Sequence, residues 1–132
     1  MHLKKEDGQA MVEFALVLPI FILLLGGIID FGWIFGNQIV ANNACRDAAR
    51  YSAVHYHEFT SDADVKTAAQ ARIVAVLPPG GTFTNITVGM TTPVIEDINL
   101  SLSTDIKVLT PILSTILGST YTIHTNYVMR VE

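Results

Sequence analysis

A chain of 132 residues, half of them hydrophobic, has material for one small domain and a membrane segment, not for two ordinary domains. Its formal net charge of -4 comes without a basic stripe anywhere, which argues against a nucleic-acid partner. The single cysteine, Cys45, excludes an internal disulfide framework and any multi-cysteine metal site.

Residues 1–8 read as a short polar leader containing the only adjacent basic pair, Lys4-Lys5. Residues 9–36 read as a membrane helix. Within residues 10–36 the only charges are Glu13 and Asp30, and residues 14–29 hold no polar side chain. A spanning helix takes about 20 such residues. A removable secretory signal has a shorter core followed by a small-residue cut site, and no such site follows this core. The span is therefore expected to be retained. Lys4 and Lys5 are its nearest flanking cations, which favours the N-terminus in the cytoplasm and the rest of the chain outside. Trp33 and Phe35 suit the outer interface. Pro19 removes one helical hydrogen bond, so a kink or loosening is expected there. Gly26 and Gly27 are a second soft spot, or a place for another helix to come close.

Residues 37–54 read as a continuation of the same helix. No proline or glycine interrupts residues 38–54, and Ala41, Ala44, Cys45, Ala48 and Ser52 make a narrow stripe of small residues at helical spacing. A helix over residues 10–54 would be roughly 65–70 Å long, about twice a bilayer core. The excess must pack on the remaining domain, residues 55–132, with Cys45 buried in the contact.

That domain opens with a polar break at residues 55–60. A second helix follows, with Ser61-Asp62-Ala63-Asp64 as an N-terminal cap, Val65, Ala68, Ala69, Ile73 and Val76 as its apolar face, and Pro78-Pro79-Gly80-Gly81 as its stop. Three strands are then predicted from period-two alternation: Ile86, Val88 and Met90; Ile98, Leu100, Leu102, Ile106 and Val108; and Tyr121, Ile123, Tyr127, Met129 and Val131. Short connections favour an antiparallel sheet. The connection at residues 111–118 is unusually apolar; it reads as one or two helical turns of domain core, or as an interaction patch if it proves exposed. The fold class is thus α+β, a long N-terminal helix packed on a small antiparallel sheet.

Glu13 is the most informative single residue. A carboxylate at the mouth of a spanning helix costs on the order of 3 kcal/mol on insertion scales, so a chain that carries one normally uses it. Asp30 leaves two readings open, a pair with another subunit or a carboxylate at the interface reaching water. His55, His57 and Glu58 invite a metal reading. The two histidines fall on different faces of a helix, however, and a polar link between helices is the better account. Asp62 and Asp64 read as helix-start residues rather than calcium ligands. Ser101, Ser103 and His124 lie on strand faces without a nucleophile-elbow context, so no catalytic site is expected. No cofactor is implied.

Taken together, the small-x-Val-Glu-Phe-Ala start at residues 10–15, the pair Leu18-Pro19 and the triplet Asp30-Phe31-Gly32 resemble the TadE-like family. So do the Asn-Ala-x-Arg-x-Ala-Ala-Arg pattern at residues 43–50 and the ending Tyr127-Val128-Met129-Arg130-Val131-Glu132. This is a family of minor pilins, or pseudopilins, of tight-adherence pilus systems, within the wider type IV pilin-like group. Phe14 stands where some relatives have Tyr, and Glu6-Asp7 makes the leader less basic than is common.

The resemblance implies that a prepilin peptidase cuts after Gly8, leaving Gln9 first and Glu13 fifth. It implies partnership with the major pilin and other minor pilins, and with inner-membrane platform proteins driven indirectly by an assembly ATPase. In such an assembly the new amine of one subunit is neutralised by Glu13 of its neighbour. The location would be the inner membrane, single-pass, or the pilus itself. Pro19, Asp30, Phe31 and Gly32 are the further candidates for helix packing or partner contact. The rival expectations are a type II secretion pseudopilin, against which the Asp-Phe-Gly triplet speaks, and a monomeric membrane-anchored binding domain. An enzyme is not expected.

Overall fold

The structure, a computed structural model, describes residues 3–78, 82–94 and 97–131. Pro79, Gly80 and Gly81, expected to help stop the second helix, lie outside the described residues, as do Met1 and Glu132. The element order is α1 (Leu3–Val54), a single 3-10 turn (Tyr56–Glu58), α2 (Asp62–Val76), β1 (Phe83–Val94), β2 (Asp97–Lys107), α3 (Pro111–Leu117) and β3 (Thr120–Arg130). The architecture is α+β: one long apolar helix packed on a three-stranded antiparallel sheet of order β1-β2-β3.

α1 contains Pro19 without being ended by it, and at 1.5 Å per residue its 52 residues extend for about 78 Å. Its C-terminal half carries the small-residue stripe into the core. Ala41, Ala44, Cys45, Ala48, Ala49, Ser52 and Ala53 are all buried. Short side chains bring the helix axis close to the sheet, and the Cys45 thiol lies 3.6 Å from the Leu100 carbonyl oxygen, to which it donates. From the sheet come Leu100, Leu102, Ile106 and Ile123, and from α2 come Ala69 and Ile73.

α2 starts where its cap residues require. Ser61 is extended, and its hydroxyl oxygen accepts from the Asp64 N–H at 3.3 Å, with Asp62 and Asp64 in the first turn. It buries Val65, Ala69 and Ile73, whereas Val76, expected on the apolar face, is exposed at the last turn. The ion pair Arg72–Asp47, 2.8 Å, ties α2 to α1, and the Arg72 guanidinium lies 5.5 Å from the Tyr51 ring centroid. Both charged groups are half exposed, so the pair adds at most about 1 kcal/mol.

The central strand β2 alternates as expected, with Ile98, Leu100, Leu102, Thr104 and Ile106 on the inner face. Thr104 is the exception in chemistry, and its hydroxyl is satisfied by donating to the Thr84 carbonyl at 2.9 Å. That carbonyl is available because β1 bulges between Thr84 and Thr87, with Asn85 at φ 51. Gly89 marks a close approach, since a Cβ there would come within 2.4 Å of the Ser101 hydroxyl. Tyr121 is exposed rather than half-buried at the start of β3.

The apolar connection does form a helix, α3, whose hydrogen-bonding start is built by Thr110 as N-cap and Pro111 at the first turn. It is not core. Ile116 and Leu117 are exposed, because α3 lies at the end of the domain against α1 and β3, beyond the sheet's inner face.

Candidate processing and assembly site

Along residues 8–25 every side chain of α1 is more than a third exposed: Phe14, Leu16, Ile20, Phe21 and Leu24 stand out on every side of the helix. The apolar window is 0% buried. Glu13 is exposed in this stretch, and its Oε1 accepts from the Gln9 side-chain amide one turn earlier at 3.3 Å. Gln9 and Glu13 thus share one helix face.

Gly8 is helical, and a Cβ built on it would meet nothing within 4 Å. Neither backbone geometry nor crowding calls for glycine there. A glycine inside a helix costs about 1 kcal/mol against alanine, so the residue is mildly unfavourable to the fold that contains it.

The Asp30-Phe31-Gly32 triplet is split by the structure. Phe31 points outward and is exposed, and a Cβ on Gly32 would meet nothing within 4 Å. Asp30 is fully buried. Its Oδ1 accepts from the backbone N–H of Leu109 at 3.0 Å and of Thr110 at 3.1 Å, and its Oδ2 accepts from the Thr110 N–H at 3.3 Å and from the Thr110 hydroxyl. Thr110 in turn caps α3 by accepting from the Leu113 N–H at 3.4 Å. Buried within its own chain rather than reaching out to solvent, this carboxylate clasps the segment entering α3. Gly26, one turn earlier, faces the Thr110 side chain at ordinary van der Waals distance. Just beyond, the Trp33 indole N–H donates to the Lys107 carbonyl at 3.2 Å, and the Gln38 amide donates to the His124 carbonyl at 3.4 Å. The domain therefore meets α1 from Gly26 and Asp30 onward, ten residues before Gly36 at the nearest.

The other candidates have plain structural roles. His55 stacks on Tyr51 with centroids 4.4 Å apart, and Tyr56 donates to Asp62 at 2.7 Å. Among the described residues no group of three or more His, Cys, Asp or Glu is placed to hold a metal. Cys45 is buried, and burial pushes its thiol up to about 11. Ser101, Ser103 and His124 line an open hollow of ≈ 390 Å³ on the outer sheet face with Thr87, Gly89 and Asn126. Ser103 faces His124 across the strand pair. Asp105, however, spends its carboxylate on the Thr122 hydroxyl at 2.6 Å and the Asn85 amide at 2.8 Å, not on the imidazole. Those two hydrogen bonds, with a smaller contribution from His124, hold Asp105 below the usual carboxylate range.

Residues 8–50 match the family model described as TadE-like protein. The matched stretch takes in Gly8, Glu13, the split triplet and the small-residue stripe. The match points to association with a tight-adherence pilus. No curated protein and no solved structure matches the chain.

Proposed function

From a chain that is TadE-like over residues 8–50, we propose a minor pilin or pseudopilin that helps assemble or initiate a tight-adherence pilus. A prepilin peptidase cuts it after Gly8. The observation that carries this reading is the apolar run of α1, uncovered along residues 8–25 and, with the residues that follow, long enough to cross a membrane; its carboxylate, Glu13, bonds only to Gln9 among the described residues. Cleavage places an ammonium on Gln9. In a bundle of such rods that amine and a neighbour's Glu13 meet in a low dielectric, where each is costly alone and the pair sets the register between subunits. The major pilin, other minor pilins, platform proteins and, through them, an assembly ATPase are the partners this role requires. The N-terminus lies in the cytoplasm and the sheet domain outside, consistent with Lys4 and Lys5 before the span. The role is structural, not enzymatic.

The test is the intact mass of the protein isolated from its own cells. The expected mass is that of a chain beginning at Gln9, and Gly8→Leu should restore the precursor mass. Native protein that begins at Met1 refutes the processing step. Glu13→Ala should leave folding and cleavage unchanged yet abolish fibres; normal fibre yield refutes the pairing.

A further inference from the structure

We propose that α3 is a membrane-interface element: with Leu109, it lies in the outer-leaflet boundary between headgroups and acyl chains, beside the emerging α1. The inference rests on the reading that α1 spans the membrane. The free rod, residues 8–25, is only roughly 26 Å long, while a hydrocarbon core is about 30 Å thick. Counted from Gln9 at the inner edge, the core ends near residue 29; counted from Glu13, it ends near residue 33. On either count residues 26–29 are still within it. The Leu109-Thr110 segment is fastened alongside by Asp30 and packs on Gly26. The base of the domain thus enters the apolar layer with α1.

The chemistry of this base suits that depth. Residues 108–120 contain no charged side chain. Leu109, Ile116 and Leu117 are exposed, Ile116 at 72%. Within α3 the hydroxyls of Ser114 and Thr115 both donate to the Pro111 carbonyl at 2.9 Å, which removes two polar groups from competition with water. Asp30, the ionisable side chain of α1 that meets this segment, is fully buried and bonded within the chain, as a carboxylate near hydrocarbon must be. Trp33 stands just above, its indole N–H held by Lys107, in the position where aromatic residues anchor a span. The exposed apolar surface of α3 is therefore continuous with the apolar collar of α1, and lipid is its occupant.

The experiment uses the full chain in phosphatidylcholine nanodiscs, with Trp33→Phe as background and a single tryptophan placed by Phe21→Trp, Ile116→Trp or Val74→Trp. Phe21 lies in the free rod and Val74 is exposed on α2. Lipids brominated on their acyl chains and aqueous iodide serve as quenchers. Tryptophan at 116 should emit at short wavelength and be quenched by bromolipid severalfold more than tryptophan at 74. Quenching by iodide to the same degree as at position 74 overturns the proposal. Shielding from both quenchers also overturns it, in favour of a second copy or another protein on α3. If tryptophan at 21 is not quenched by bromolipid, the span itself has failed, and the proposal falls with it. Should the Trp33→Phe background not fold, Ile116→Cys carrying an environment-sensitive dye in the otherwise unchanged chain gives the same readout, because Cys45 is buried.

Discussion

Asp30→Ala should destabilise the contact between the domain and its helix without touching the sheet core. The carboxylate accepts from two backbone N–H groups and one hydroxyl, and is itself fully buried. Hydrogen bonds to a charged acceptor are worth about 1.5–3 kcal/mol each, and a donor left unpaired in a buried place costs about 1–3 kcal/mol. These considerations put the loss at about 2–4 kcal/mol, with about half that for Asp30→Asn, whose amide oxygen still accepts. The assay is urea unfolding of the full chain in detergent micelles, followed by Trp33 fluorescence, because Trp33 bonds to Lys107 next to the clasp. Hydrogen exchange supplies the local readout: the Leu109 and Thr110 amides should be protected in the parent and fast in Asp30→Ala. A loss under about 0.5 kcal/mol, typical of a surface change, with both amides unaffected, would refute the clasp.

Ala48→Leu puts a large side chain into the stripe that lies against the sheet, and overpacking should cost about 1–3 kcal/mol in the same unfolding assay, whereas Arg50→Leu on the exposed side should change little. Folded Asp105 holds its proton less tightly than an unfolded aspartate of pKa about 3.9. The stability it lends is present above that value and fades as the pH falls through its lower folded pKa. Removing its largest support with Thr122→Val should therefore flatten the acid limb of a stability–pH curve, and an unchanged limb would discount the hydrogen bond. The Cys45 thiol, buried and raised to about 11, should resist a thiol reagent at pH 8 in the folded chain and react on unfolding in urea; prompt labelling of the native protein would contradict its placement.

Much of the domain could be read from the amino-acid order because its signals are local. Alternation in β2 and β3 fixes which residues face α1, and Ser61 with Asp64 marks the start of α2 by a hydrogen bond three residues long. The small stripe on α1 foretold a close helix–sheet contact for the same reason, since its spacing is a property of one helix. What escaped were contacts whose two halves lie far apart. Thr104 faces inward because Thr84, across a bulge centred on a left-handed Asn85, offers it a carbonyl. Asp30 turns inward because backbone N–H groups 79 and 80 residues later await it, and backbone donors leave no mark in side-chain order. Two signals pointed that way: a charge closing a long apolar run needs a partner, and Thr110-Pro111 is a helix start whose incoming segment must be held.

The N-terminal rod was legible for the opposite reason. Residues 8–25 are exposed throughout, so little tertiary packing overrides what they say. A core residue is explained by its neighbours, but Gly8 and Glu13 have none beyond Gln9. A helix-weakening glycine with nothing near its Cβ position, and a carboxylate in an apolar rod that meets only the Gln9 amide among the described residues, are both costs to the isolated chain. On the proposed reading, each becomes favourable when something outside the chain arrives, a peptidase at the first and a neighbouring amine at the second. The stretch least supported by the fold is for that reason the stretch most informative about what the protein meets.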